Sequence, residues 1–176
     1  MTPRVCVQAF ALALILSGCS SVSKLAQSVM TAGADLVGVS KPHPHPAPWH
    51  SVTVVASADA NQNSPIALDL VFVRDPALLE SLSTTPAAKW FATRADTQRS
   101  FPDTLGVVSL EVVPGQTFKL TDPARIRQSA LGILAFASYP TPGEHRLRLH
   151  PSTDSFLLQL GPQGFQGADV SSHVPK

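Results

Sequence analysis

Ile66, Leu68, Leu70 and Phe72 place four large apolar side chains at every second position. That is the period of a strand with one buried face. Asp69 falls on the opposite face, which the alternation assigns to solvent. A segment of this kind must be paired on its edges and covered on its apolar face, so the chain around it has to supply a sheet. It does. Val52, Val54 and Ala56 alternate with Thr53, Val55 and Ser57. Leu105 to Val113 is rich in strand-forming residues, and Thr117 to Leu120 is a short returning strand. Pro114-Gly115 between them carries a type II turn signal, with proline at the second turn position and glycine supplying positive φ at the third. Leu131 to Ala137, LGILAFA, is continuously apolar, as expected of a strand buried on both faces. Leu147 and Leu149 alternate with Arg146, Arg148 and His150, and Phe156, Leu158 and Leu160 close the set.

The connections are as informative as the strands. Ala58 to Pro65, ADANQNSP, is a loop whose Asp, Asn and Ser side chains bond their own backbone. It joins two strands either as a hairpin or as a crossing between sheets. Asp75-Pro76 is a helix start, a capping carboxylate followed by proline at the first helical position. Thr85-Pro86 repeats the signal before Ala87 to Thr97, which carries Trp90 and Phe91. Phe101-Pro102-Asp103 ends this helical excursion, and Asp122-Pro123 starts one further turn. About seven strands with turn signals and one helical insertion describe a mainly β protein, a two-sheet β-sandwich.

Ahead of this pattern, Val5 to Leu16 is apolar except for Gln8. About a dozen residues cannot cross a bilayer that needs roughly 20. The run has the proportions of a signal-peptide core, and Ser17-Gly18 supplies the small residues of a cleavage site. Leu16-Ser17-Gly18-Cys19 resembles the bacterial lipobox. The resemblance implies a diacylglycerol on the Cys19 thiol, cleavage before Cys19 and acylation of the new amine. A single myristoyl-sized chain binds a membrane only marginally, and each buried CH₂ adds about 0.8 kcal/mol, so several chains on one residue anchor for good. Ser20 is not the Asp that retains lipoproteins on the inner membrane in enteric-type sorting, which implies an outer-membrane destination on its periplasmic face.

Between anchor and domain, Val22, Leu25, Ala26, Val29 and Met30 fall at helical spacing. They describe either a short amphipathic helix or part of a tether. Lys41-Pro-His-Pro-His-Pro-Ala-Pro48 follows. Alternating prolines favour polyproline II and remove backbone donors, as in a semi-rigid spacer. Cys19 to Trp49 could reach roughly 100 Å fully extended. The expected organisation is a signal peptide at 1–18, a lipidated tether and Pro/His linker at 19–49, a sandwich domain at 50–161 with a helical insert at 76–97, and a flexible Gly/Gln-rich tail at 162–176.

Composition narrows the function. The formal net charge of +1 and the absence of a basic stripe argue against a nucleic-acid partner. Charged residues are 14%, well below the usual quarter, which suits a protein held against a surface or partner. Cys6 lies in the signal peptide and Cys19 is committed to lipid, so the domain carries no disulfide. His43 and His45 point the same way in an extended chain, but a structural zinc site wants four ligands and neither thiol nor carboxylate is close by, so a solvated linker is the better account. There is no HExxH, CxxC or GxSxG motif. The glycines of GPQGFQG are spaced wrongly for a phosphate-cradling loop. Asp59 and Asp75 read as loop and cap, Glu111 as the polar side of a strand, and His145 and His150 as the ends of a solvated edge strand. No nucleophile–base pair emerges and the only cofactor-like group is the covalent lipid on Cys19.

The order of segments carries a resemblance. VTVVASADAN, a loop, PIALDLVFV, a helical stretch ending near WFATR, a strand closing in VPGQ, and LGILAFASY follow a lipobox and a tether. This is similar to the lipoprotein subunit of the type VI secretion membrane complex, the TssJ or VasD/SciN-like family, over roughly Val52 to Leu149. The resemblance implies a transthyretin-like β-sandwich in the periplasm. It also implies binding to the periplasmic domain of a TssM-type inner-membrane protein through the loop between the first two strands: Asp59, Ala60, Asn61, Gln62, Asn63 and Ser64. The alternative is a pilotin-like or small-ligand-binding envelope lipoprotein.

Overall fold

The computed structural model describes residues 42–150 and 152–170. The signal peptide, the lipidation at Cys19, the segment to Lys41 and the last six residues lie outside them. The strands are β1 (His45–Pro46), β2 (Ser51–Ala56), β3 (Ile66–Val73), β4 (Leu105–Val112), β5 (Thr117–Leu120), β6 (Ser129–Ala130), β7 (Gly132–Ala137), β8 (Arg146–Leu149), β9 (Ser155–Leu160) and β10 (Phe165–Asp169). The helices are α1 (Pro76–Ser83), α2 (Ala87–Ser100) and α3 (Pro123–Ile126). One sheet has the order β10-β9-β2-β5 and the other β4-β3-β7-β8, while β1 and β6 form a small pair. The first sheet contains a parallel pair, β2 with β9, and all other pairs are antiparallel.

The two-sheet sandwich is therefore the architecture, and the period of two builds its core. Ile66, Leu68, Leu70 and Phe72 of β3, Ile133, Ala135 and Ala137 of β7, Val52, Val54 and Ala56 of β2, and Phe156, Leu158 and Leu160 of β9 all meet between the sheets. The alternate residues of the second sheet, Val71, Val73, Leu134 and Phe136, are apolar too. They are buried by a separate cluster with Leu78, Leu79 and Leu82 of α1 and Trp90 of α2. Strands that are greasy on both faces need a second cover, and the helices provide it. At Gly132 α1 packs close against β7: a Cβ there would stand 2.7 Å from the Leu79 side chain.

Local signals are met as read. Asp75 caps α1, its carboxylate accepting from the Leu78 amide at 2.8 Å. Asp122 caps α3 through the Ala124 amide. Gly115 has φ +76° and the Gln116 amide donates to the Val113 carbonyl, which closes the Pro114-Gly115 turn. The excursion is two helices, one after each start signal, and it runs past Thr97 to Ser100. Pro86 stands at the N-cap of α2, and the Thr85 hydroxyl turns back to the Ser81 carbonyl instead of capping.

Four expectations are corrected. The Pro/His linker does not run to residue 49. His45 and Pro46 pair with Ala130 and Ser129, and Ala47 and Trp49 are buried in the main core. Proline is tolerated in a strand at an edge, so two residues of pairing survive the missing donors. The Gly/Gln-rich segment is not a loose tail as far as residue 170: Phe165–Asp169 pairs along the whole of β9. Asp69 does face away from the inter-sheet core, but that face is roofed by α2, and the residue is fully buried. Finally, β5 does not pair back on β4; it crosses to β2 in the other sheet. Alternation identifies faces, not the sheet to which a strand is added.

Candidate partner-binding end

The β2–β3 connection crosses from one sheet to the other, and three further loops gather beside it. The Ser57 amide donates to the Leu160 carbonyl at 2.9 Å and the Ser57 carbonyl accepts from Gly115 at 3.0 Å. The Asn61 amide donates to the Gly161 carbonyl at 3.2 Å. The loop residues 57–65 are thus tied to the β4–β5 turn and to the β9–β10 turn. Tyr139, in the β7–β8 loop, reaches the same turn: its hydroxyl donates toward the Gly164 carbonyl at 2.8 Å and the Gly161 carbonyl at 3.1 Å.

Within the loop the six residues singled out by the sequence part company. Ala60 and Asn61 are buried, while Asp59, Gln62, Asn63 and Ser64 are exposed. The reason is a left-handed turn: Asn61, Gln62 and Asn63 have φ of 48°, 55° and 62°. Asparagine tolerates this region well; glutamine does so less readily, and three in succession need external support. Asn61 gives it by donating its side-chain amide to the Pro65 carbonyl at 3.0 Å and the Ser64 carbonyl at 3.3 Å. Asp59 accepts from the Ser57 hydroxyl at 2.7 Å. Two residues therefore anchor and four present. A loop already held in one conformation loses little entropy on binding.

Sequence reasoning missed three parts of this end. Val113 beside the Pro114-Gly115 turn is an apolar side chain 52% exposed. The Gly161–Gly164 turn borders an open groove of about 520 Å³, lined also by Val55, Asp59, Gln159 and Phe165. Tyr139 is the buttress, and its only advance signal was the polar hydroxyl in an otherwise Pro/Gly-rich loop. Burial pushes its phenol up from 10.0 to about 12, against the opposing effect of the Gly161 carbonyl. It is the only tyrosine, so a spectrophotometric titration of the folded chain should give one ionisation near 12. Because the folded value is the raised one, the unfolded chain loses its proton first. Stability should be intact below pH 10 and decline toward pH 12, by about 2–3 kcal/mol in all. Tyr139→Phe should remove that decline, measured by urea unfolding across the window.

His145, read as the end of a solvated edge, instead lies half-buried, stacked on Tyr139 with ring centroids 4.8 Å apart. His150 and Glu111 are exposed, as read. Among the described residues no group of three or more His, Cys, Asp or Glu is placed to hold a metal ion.

The geometry is that of a sandwich roofed on one outer face by helices, with a braced set of loops at one end. No family model matches the sequence, and no curated protein matches it. Solved structures do. A type VI membrane complex contains a chain that aligns at 14% identity over 68% of this chain and 96% of that one, with a TM-score of 0.52. Serratia marcescens Lip, a membrane-bound component of the type VI secretion system, aligns at 17% identity over 73% and 99%, with a TM-score of 0.49. The type VI lipoprotein TssJ1 of Pseudomonas aeruginosa aligns at 15% identity over 69% and 95%, also at 0.49. At such identities the likeness to the membrane-complex chain is one of fold, and it is the fold the order of segments implied.

Proposed function

We propose that this chain is a TssJ-type lipoprotein, a structural subunit of a type VI secretion membrane complex. Acyl chains on Cys19 hold it on the periplasmic face of the outer membrane, and the loop end grips the periplasmic domain of a TssM-type inner-membrane protein. The role is mechanical: it links two membranes and needs no catalysis. The observation that carries the reading is a sandwich of the fold found in a type VI membrane complex standing directly downstream of the lipobox Leu16-Ser17-Gly18-Cys19. The braced left-handed loop supports the choice of contact surface, since its exposed side chains are fixed before binding.

The test has two arms. Cys19→Ala should move the protein from the outer-membrane fraction to the soluble periplasm; retention would remove the anchor. In the second arm Asp59, Gln62, Asn63 and Ser64 become Gly or Ser, with Ala60 and Asn61 kept so that the loop's anchors survive. Affinity for the partner's periplasmic domain should fall at least about tenfold, or 1.4 kcal/mol. Unchanged affinity would move the contact away from this loop. Recovery of no inner-membrane secretion protein from solubilised envelopes would favour a pilotin-like or ligand-binding role.

A further inference from the structure

Two open sheets leave four edge strands, β10, β5, β4 and β8, and three of them are guarded. β5 is four residues long and carries Lys119. β8 is also four long and carries Arg146 and Arg148. β10 lies against β8: a Cβ on Gly167 would stand 3.0 Å from the Leu147 side chain. Short length, cations and a close neighbour each blunt pairing by another chain. β4 lacks these guards. It is eight residues long, pairs with β3 along its whole length and contains no Lys, Arg or Pro. Glu111 is its one charge.

The register shows which backbone groups of β4 are free. The Arg74 amide donates to the Thr104 carbonyl at 2.8 Å, one step beyond the last ladder pair, Val73 with Leu105. Bonded and non-bonded pairs alternate along an antiparallel ladder. The even-numbered residues of β4 therefore spend their N–H and C=O on β3, and the odd-numbered ones turn theirs outward. The Leu105 amide is taken by the Phe101 carbonyl, and the Val113 amide by the Gln116 side chain. Val107, Ser109 and Glu111 make no outward backbone bond among the described residues. Ser109 and Glu111 are exposed, and Leu110 between them is half-buried.

We propose that β4 is a dimerisation edge, which pairs with β4 of a second copy of this chain, antiparallel about a twofold axis through Ser109. The three free residues are spaced evenly about Ser109. Only this register lets Val107 of one copy exchange both bonds with Glu111 of the other while the two Ser109 residues exchange theirs. The side chains fit the same register. On the inner face Val108 falls opposite Leu110 of the other copy, an apolar pair that covers the half-buried leucine. On the outer face Ser109 meets Ser109, and each Glu111 meets an apolar Val107. The two glutamates end about 14 Å apart, beyond the roughly 8 Å screening length of physiological salt. A strand of another protein would have to match this spacing; a second copy does so by symmetry. The pairing joins the two four-stranded sheets into one and turns the two loop ends in opposite directions. An edge of this size gives a weak pair in solution. Copies anchored on one membrane meet at higher effective concentration, a point that rests on the lipid at Cys19; the pairing itself does not.

The experiment uses residues 19–176 carrying Cys19→Ser, a chain without cysteine, so one introduced thiol reports contact. Ser109→Cys should cross-link to itself on mild oxidation, because bonded pairs hold their Cα atoms about 5.5 Å apart, within reach of a disulfide. Lys119→Cys, on the guarded edge of β5, should not. Sedimentation of the cysteine-free chain from about 10 μM to about 1 mM should show the mass rising from one copy toward two. Ser109→Pro deletes an outward amide and spares the β3 ladder; it should weaken the dimer at least about tenfold. Ser109→Lys and Ser109→Glu should each stay monomeric, with like charges facing on the axis, and should pair when mixed. Equal urea midpoints check folding, and the lysine and glutamate variants decide the matter if the proline variant does not fold. A single copy at about 1 mM, equal cross-linking through Lys119→Cys, or a dimer that persists in Ser109→Lys overturns the proposal. So does a Ser109→Cys cross-link in native envelopes, with Cys19 intact, to a different protein instead of a second copy. None of the solution outcomes bears on Cys19 or on the loop end, which are read separately by fractionation and by partner affinity.

Discussion

A chain begun at His50 should be at least about 3–5 kcal/mol less stable than one begun at Pro42, a large part of the roughly 5–15 kcal/mol that an ordinary domain has. The eight residues removed look like spacer, yet they contain the largest buried side chain of the inter-sheet core. Trp49 is fully buried. Its ring lies edge-on to Phe72 at 6.4 Å and tilted against Phe156 at 5.3 Å, so it joins β3 of one sheet to β9 of the other. Its indole N–H finds no acceptor among the described residues, so packing alone holds it. Truncating a buried Trp to Ala removes about 3–5 kcal/mol. The shortened chain also loses buried Ala47, the bond from its amide to the Gln128 carbonyl, and the β1–β6 pair. Urea titrations of chains 42–170 and 50–170, and of Trp49→Ala in the longer one, measure this. Trp49→Ala should account for most of the deficit. Equal midpoints for the two chains would show that the core closes without Trp49.

That result would also mark where sequence reading stopped. Proline-rich composition describes backbone bias. It is silent on whether a tryptophan at the end of the run finds a hole to fill. Phe165–Asp169 escaped notice for a related reason. Glycine and glutamine have poor strand propensity, but β9 had an unpaired edge, and pairing with it outweighs local preference. In the β2–β3 loop the polar composition was legible and the division of labour was not: Ala60 turns inward with its amide on the Ser57 carbonyl, and Asn61 with its amide and side chain on the carbonyls of Gly161, Ser64 and Pro65. By contrast β3, β7, the Asp75 and Asp122 caps and the Gly115 turn were readable, because each depends only on neighbours within a few residues.

Arg94→Met should cost about 3–5 kcal/mol, more than its partly exposed position suggests, because the loss falls on its partner. Asp69 is fully buried and accepts from the Trp90 indole at 2.8 Å and from Arg94 at 3.1 and 3.2 Å. Trp90 and Arg94 are four apart on α2 and share a face, which is how one helix delivers both donors to one carboxylate. Removing the guanidinium leaves a buried anion with a single neutral donor, and breaking a buried pair from one side is the expensive way to break it. Asp69→Asn combined with Arg94→Met should recover most of the loss, since the amide oxygen can still accept from Trp90 and no charge is stranded. A double-mutant cycle by urea unfolding gives the coupling directly. Two tryptophans in two different cores locate the damage: Trp90, stacked on Phe136 at 5.0 Å, should become quenchable in Arg94→Met at denaturant concentrations where Trp49 is still protected. If both are exposed together, the helical layer and the sandwich are one cooperative unit. If Trp90 yields first and partner affinity persists, α2 serves only to roof the second sheet, and the grip lies in the loops at its end.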